Sequence, residues 1–133
     1  MERLERGKES EELAVQWLLQ RGFELVARNV RYKFGEIDII AKEGQVLCFV
    51  EVRSRENAQY GAPQASVRFD KQAKLIKAAQ MYLKRFYKKP PFCRFDVIAV
   101  TGFGIGAQVE HFKSAFEVPA EPRRYRGNPW RAY

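Results

Sequence analysis

Two short stretches of the chain alternate with the period of two that a β-strand imposes. In residues 36–41, Ile37, Ile39 and Ala41 fall on one side, and Glu36, Asp38 and Ile40 on the other. In residues 46–53, Val46, Cys48, Val50 and Val52 oppose Leu47, Phe49, Glu51 and Arg53. Gly44, behind Glu43, supplies the left-handed backbone of a tight connection, so the two runs read as a β-hairpin. Upstream the period lengthens. Leu13, Ala14, Trp17 and Leu18 form an apolar stripe over residues 8–21, which Gly22 closes in the usual C-terminal position. Glu9, Glu11 and Glu12 sit in its early turns, where negative charge suits the helix dipole.

Residues 23–31 then read as a strand. Residues 67–89 read as the longest helix, with Phe69, Ile76, Ala79, Leu83 and Phe86 on one face and Lys74, Lys77, Arg85 and Lys88 opposite. Pro90-Pro91 ends it. Residues 94–101 give another strand and residues 108–118 a last strand or irregular edge. The glycines of residues 102–106 resemble a phosphate loop only superficially, because no helix with Lys-Ser or Lys-Thr follows. The expected architecture is α/β: a mixed sheet with a helix on each side, in one domain over residues 1–118. Residues 119–133, rich in proline, arginine and aromatics, read as a loosely docked tail.

The apolar runs of the hairpin contain carboxylates, and an unpaired buried carboxylate costs several kcal/mol. Closing the hairpin symmetrically about Glu43-Gly44 pairs Ile40 with Leu47, Asp38 with Phe49 and Glu36 with Glu51. Asp38 and Glu51 are then diagonal neighbours on one face, about 7–8 Å apart between backbones. One face sorts as purely apolar and the other carries the charges. Hard oxygen ligands favour Mg²⁺ or Mn²⁺ over zinc, and such an ion suits phosphodiester chemistry. Arg53, two residues after Glu51 on the same face, falls beside the water and phosphate of such a site. On the first helix, Glu11 lies at the edge of the apolar stripe and leans toward the sheet as a third acidic group, whereas Glu12 points away.

Composition adds a partner. The 133 residues carry a formal net charge of +8, which speaks for a polyanion but not for a fold. The long helix concentrates that excess: Arg68, Lys71, Lys74, Lys77, Lys84, Arg85, Lys88 and Lys89 stand against Asp70 alone. Cations three and four apart repel one another unless something anionic compensates, and a phosphate backbone would. Arg55, with Tyr60 and Gly61 in the following loop, flanks the same region. Two cysteines at this spacing match no metal knuckle and read as reduced. The charged N-terminus lacks a signal core, and there is no apolar run of about eighteen residues. A cytoplasmic protein with no membrane span is expected.

A helix with Glu, then Gly35-Glu36-Ile37-Asp38, then Glu51-Val52-Arg53, then a basic helix resembles the YraN family of bacterial proteins. That family is similar to archaeal Holliday-junction resolvases of the PD-(D/E)XK nuclease superfamily. The resemblance covers roughly residues 5–115, including Arg28-Asn29-Val30-Arg31 and Arg94-Phe95-Asp96-Val97. It implies a restriction-endonuclease-like α-β-β-β-α-β core, metal-binding Asp38 and Glu51, a main-chain ligand at Val52 and an accessory Glu11. It also implies branched DNA as substrate, and it admits a homodimer, because a four-way junction needs two cuts.

The chain departs from the superfamily at two places. Ile37 replaces the proline of the motif, and Arg53 replaces its lysine. Arginine stabilises charge but does not accept a proton. Lys71, early in the long helix, is the candidate for a displaced lysine.

Plainer readings stand beside these. Asp38 and Glu51 read equally, without the resemblance, as ion-pair partners of Arg53, Arg31 or a helix lysine. Arg53 reads as a counter-ion of Glu51, Glu36 as a partner of a nearby arginine, and Asp96 as a satisfied structural acid. His111 has no companion ligand and reads as incidental, and Trp17 reads as core. The expected function is a Mg²⁺-dependent endonuclease-like protein, in which Lys71, Lys74, Lys77, Arg85, Lys88 and Arg55 position the DNA. The alternatives are a nuclease fold that binds nucleic acid without turnover, and a protein that docks on an RNA-rich assembly through the tail.

Overall fold

The computed structural model describes residues 3–55, 67–86 and 89–118. Tyr60, Gly61, Lys88 and the 119–133 tail lie outside the described residues. In chain order the elements are α1 (Arg3–Gln20), β1 (Glu24–Tyr32), β2 (Gly35–Glu43), β3 (Val46–Arg55), α2 (Phe69–Leu83), β4 (Phe92–Thr101), a 3₁₀ turn (Gly104–Gly106) and β5 (Gln108–Phe116). This is the expected α-β-β-β-α-β order, extended by β5. The strands lie in the order β1-β2-β3-β4-β5. β3 and β4 are parallel, joined through α2, and the other neighbours are antiparallel.

Each helix buries one face of the sheet. Ala14, Val15 and Leu18 of α1 pack on Ile39, Ala41, Val46, Cys48, Val50, Ile98 and Val100. Leu75, Ala78, Ala79, Tyr82 and Leu83 of α2 pack on Ile37, Ile40, Leu47, Phe49, Cys93 and Phe95. Both faces are therefore apolar through the middle of the hairpin. The charges collect at its open end, which corrects the expectation of one apolar and one charged face. Trp17 is only partly buried, with the Arg21 guanidinium 3.0 Å above its ring. Cys48 and Cys93 are buried on opposite faces, where desolvation pushes both thiols up to about 12.

α1 ends as its sequence predicts. Gly22 takes φ +85°, its N–H donates to Leu19 O, and Phe23 N–H donates to Leu18 O, which satisfies two terminal carbonyls. α2 differs in extent and rotation. It stops at Leu83, ahead of the prolines, and Phe69, read as a core position, is 88% exposed. The helix turns instead so that Leu75, Ala78 and Tyr82 meet the sheet, because Tyr82 packs edge-on against Phe49.

The hairpin register also differs. Glu43 pairs with Val46 and Ile40 with Phe49, so Gly44 (φ +60°) and Gln45 form the two-residue loop. The shift from the expected register is two residues, which by itself moves no side chain to the other face. The ladder runs to Ile39–Val50, and Asp38 and Glu51 are the next residues on the two strands. Strict alternation in β2 breaks at the same place. Ile37 and Ile40 share the α2 face while Ile39 lies on the α1 face, and Asp38 stands in the break. Its partner position on β1 is Asn29, which lies between the Arg28–Ile39 and Val30–Ile37 pairs and takes φ +51°. Left-handed backbone at a residue other than glycine costs of order 1–3 kcal/mol and persists where its surroundings impose it.

Candidate metal and nucleic-acid site

Asp38 and Glu51 converge at the open end of the hairpin, within hydrogen-bonding reach of one another. The Val52 N–H donates to Asp38 Oδ2 at 2.9 Å and fixes that carboxylate against β3. The Glu51 side chain is 7% exposed, and Lys71 Nζ of α2 lies 2.5 Å from its Oε1. Burial raises the Glu51 pKa to about 7, with the negative charge of Asp38 adding to the effect. Burial likewise raises that of Asp38, against the opposing pull of the Val52 amide and the Lys71 charge. Partial burial works against the Lys71 ammonium, but the bond to Glu51 and the two carboxylate charges outweigh it and raise its pKa.

A cavity of about 510 Å³ opens over these groups, lined by Gly35, Glu36, Asp38, Glu51, Arg68, Asp70, Lys71, Lys74 and Leu75. A second, of about 310 Å³, shares Glu51, Arg68 and Lys71 and adds Val52, Arg53, Ser54 and Val67. Lys71 thus stands between the space over Asp38 and the space beside Arg53. Gly35 makes this closeness possible. A Cβ there would fall 2.8 Å from the Lys74 carbonyl oxygen, so a side chain would push α2 away from β2.

Glu11 also comes to the site. Burial and the charge of Asp38 raise its pKa, and its Oε1 is buried without a hydrogen-bond partner. Its neighbours on α1 are committed elsewhere: Glu9 Oε1 accepts from Gly104 N–H at 2.9 Å, Ser10 bonds Ser54 at 2.8 Å, and Glu12 pairs with Arg28 at 2.9 Å. Glu36 pairs with Arg31 at 3.5 Å, as its sequence position suggests.

The basic residues divide. Lys71 and Lys74 line the first cavity and Arg53 the second. Arg55 ends β3, where its carbonyl accepts from Gly102 N–H. Lys77 is exposed, and the Arg85 guanidinium sits 4.0 Å over the Tyr82 ring, further along α2. The structure places Arg68 at the site, which sequence reasoning had left as one more cation on the helix.

Asp96 is the structural acid that the sequence indicates. Fully buried, it accepts from Arg94 Nε at 2.9 Å and Ser114 N–H at 3.1 Å, with His111 Nε2 2.8 Å from its Oδ2. Burial opposes the charge, but the bonds from His111 and Arg94 hold its pKa below the ordinary value. His111 is therefore a partner of Asp96, a role its isolation in the sequence had hidden.

Asp38 and Glu51 offer hard oxygen donors only, the chemistry that suits Mg²⁺ or Mn²⁺ over a softer metal. Among the described residues no group of three or more His, Cys, Asp or Glu side chains is placed to hold a metal ion. An ion here would keep several waters, as magnesium does. No helix of the described residues is long and apolar enough to cross a membrane.

Residues 10–100 match the family model described as "Uncharacterised protein family UPF0102". A UPF0102 protein of Thermodesulfovibrio yellowstonii is 43% identical over 116 residues, covering 87% of this chain and 99% of that protein. One from Symbiobacterium thermophilum is 46% identical over 94 residues, covering 71% and 80%. One from Myxococcus xanthus is 43% identical over 116 residues, covering 87% and 92%. The matched span runs from the start of the acidic turns of α1 to the end of β4 and includes Glu11, Asp38, Glu51 and Lys71. This chain belongs to the UPF0102 family.

Proposed function

We propose that this protein is a Mg²⁺-dependent endonuclease-like protein that acts on structured or branched DNA. The observation that carries the proposal is the meeting of half-buried Asp38 and buried Glu51 on adjacent strands, beneath a cavity rimmed by Lys71, Lys74 and Arg68. Burying two acids side by side is unfavourable, and a divalent cation between them removes that cost.

Asp38, Glu51 and the Val52 carbonyl would hold the ion, with Glu11 assisting through water. Bound there, Mg²⁺ would lower the pKa of a coordinated water and offset charge on a phosphate. The chain's own residues do the rest. The Val52 amide orients Asp38, and Lys71 holds Glu51 and presents its ammonium to the same space. Arg53, permanently charged, steadies phosphate oxygens in the adjoining cavity. Glu11, with its raised pKa, holds a proton more readily than a free glutamate does. Arg68 and Lys74 guide the backbone, and a homodimer would supply the two cuts of a junction.

A second reading is a nucleic-acid-binding module without turnover. Its support is the Lys71–Glu51 pair itself, in which an ammonium already takes the place beside Glu51 that a metal would use. Incubating a four-way junction and a supercoiled plasmid with Mg²⁺ or Mn²⁺ separates the two. The nuclease reading expects cleavage that Asp38→Asn abolishes. Binding that ignores metal, without cleavage, favours the module. RNA retention that survives Asp38→Asn but fails without residues 119–133 contradicts both.

A further inference from the structure

The turn between β1 and β2 carries an aromatic pair that the carboxylate site leaves unused. Tyr32 and Phe34 lie with ring planes 16° apart and centroids 6.2 Å apart. Tyr32 packs inward against the core under α2, while Phe34 is the outer ring and stays 36% exposed. Rooting one ring in the core and leaving the other outside gives a fixed platform with a face toward solvent. Solvation alone gives no reason to build it, since an exposed phenyl ring gains nothing from water.

The surroundings state what such a face suits. Lys33 shares the turn with Phe34, Arg31 precedes it, and the Lys74 backbone lies against Gly35, the next residue. Glu36, the acid among these cations, is taken up by Arg31. Gly35, Glu36 and Lys74 line the cavity over Asp38 and Glu51, so Phe34 directly precedes two residues of that cavity's wall. A flat aromatic face set among cations matches an anionic chain that carries flat rings. An acidic peptide would match the cations but not the ring. Asp38 lies four positions after Phe34, into β2. That is roughly 13 Å at the rise of a strand, or about four base steps at the spacing of a stacked strand.

We infer that Phe34 is a stacking platform for an unpaired nucleobase of the strand whose phosphate enters the Asp38–Glu51 cavity. The inference rests on the nuclease-like reading for the position of that phosphate, and it narrows the substrate class. A base inside an intact duplex has both faces covered, so the preferred nucleic acid is single-stranded or unpaired within a few nucleotides of the site. Stacking on an aromatic side chain is tolerant of sequence, so no base preference accompanies it.

The test measures binding of the full chain to a labelled oligothymidylate and to a blunt duplex of equal length, with Ca²⁺ replacing Mg²⁺ so that turnover is not read. Phe34→Ala is expected to weaken oligothymidylate binding roughly ten-fold or more. Duplex affinity should stay within about two-fold, and the salt slope should not change, since no phosphate contact is lost. Phe34→Trp is expected to keep single-strand affinity and to add fluorescence that is quenched on binding. Because Phe34 is the outer ring, neither variant removes core. Unchanged single-strand affinity in Phe34→Ala, or an equal loss for both ligands, overturns the platform and leaves the nuclease reading standing. Failure of the unaltered chain to bind either ligand overturns both.

Discussion

Lys71 on α2 places its ammonium 2.5 Å from Glu51 on β3, and Glu51 in turn meets Asp38 on β2. Three elements thus put one cation and two acids in a single place. The cation bonded to Glu51 here comes from the helix.

Lys71 should therefore matter to the proposed chemistry. Under the proposed activity, Lys71→Ala is expected to lower cleavage by about 10²–10³, the range for losing one preorganised charge-stabilising donor. Initial rates on a junction substrate at saturating Mg²⁺ check this, and an unchanged rate in Lys71→Ala removes Lys71 from the chemistry.

The acid pair sets a pH dependence with a definite sign. Burial raises both pKa values, Glu51 to about 7, so the folded chain holds a proton that the unfolded chain has released. Stability then falls as pH rises from the ordinary carboxylate range toward neutrality. In metal-free urea melts the midpoint should be higher near pH 5 than near pH 8, and Glu51→Gln should flatten the difference. Mn²⁺ should raise the midpoint most at the alkaline end, where the site is ionised.

Gly35 fixes the spacing between α2 and β2. A methyl group there would meet the Lys74 carbonyl oxygen at 2.8 Å, so Gly35→Ala should displace the helix and cost about 1–3 kcal/mol of stability, as overpacking does. Crosslinking between cysteines placed at positions 51 and 71 should slow in the same variant. Unaltered stability and crosslinking would show that the helix tolerates the extra atom.

Asp96 anchors β5 to β4 and plays no part in the metal site. Asp96→Asn leaves the buried Arg94 without its full partner, and a loss of about 3–5 kcal/mol is expected from chemical denaturation. Folded Asp96→Asn should bind Mn²⁺ as the unaltered chain does.

Much of this arrangement is legible in the sequence because strand parity is local. The period of two places Glu51 and Arg53 on one face whatever the turn does, and a register two residues from the expected one still brings Asp38 and Glu51 together. Gly22 follows from a backbone rule of the same short range, whereas α2 stops at Leu83, short of the prolines expected to end it. What stayed hidden is tertiary. The rotation of α2 depends on Tyr82 meeting Phe49. The approach of Lys74 to Gly35 and the reach of Lys71 to Glu51 join residues far apart in the chain, and no periodicity records them. The pairing of His111 with Asp96 belongs to the same class. Arg28-Asn29-Val30 reads as plain strand, yet Asn29 adopts a left-handed backbone because it lies opposite the break in β2 where Asp38 turns toward the site.

Titration of the metal-free chain with Mn²⁺, followed by calorimetry at neutral pH, tests the two-carboxylate site most directly. One ion should bind per chain, with proton release, and Asp38→Asn should abolish the binding while leaving a folded protein. Binding of Mn²⁺ that is absent from the unaltered chain, or that persists undiminished in Asp38→Asn, would contradict the site.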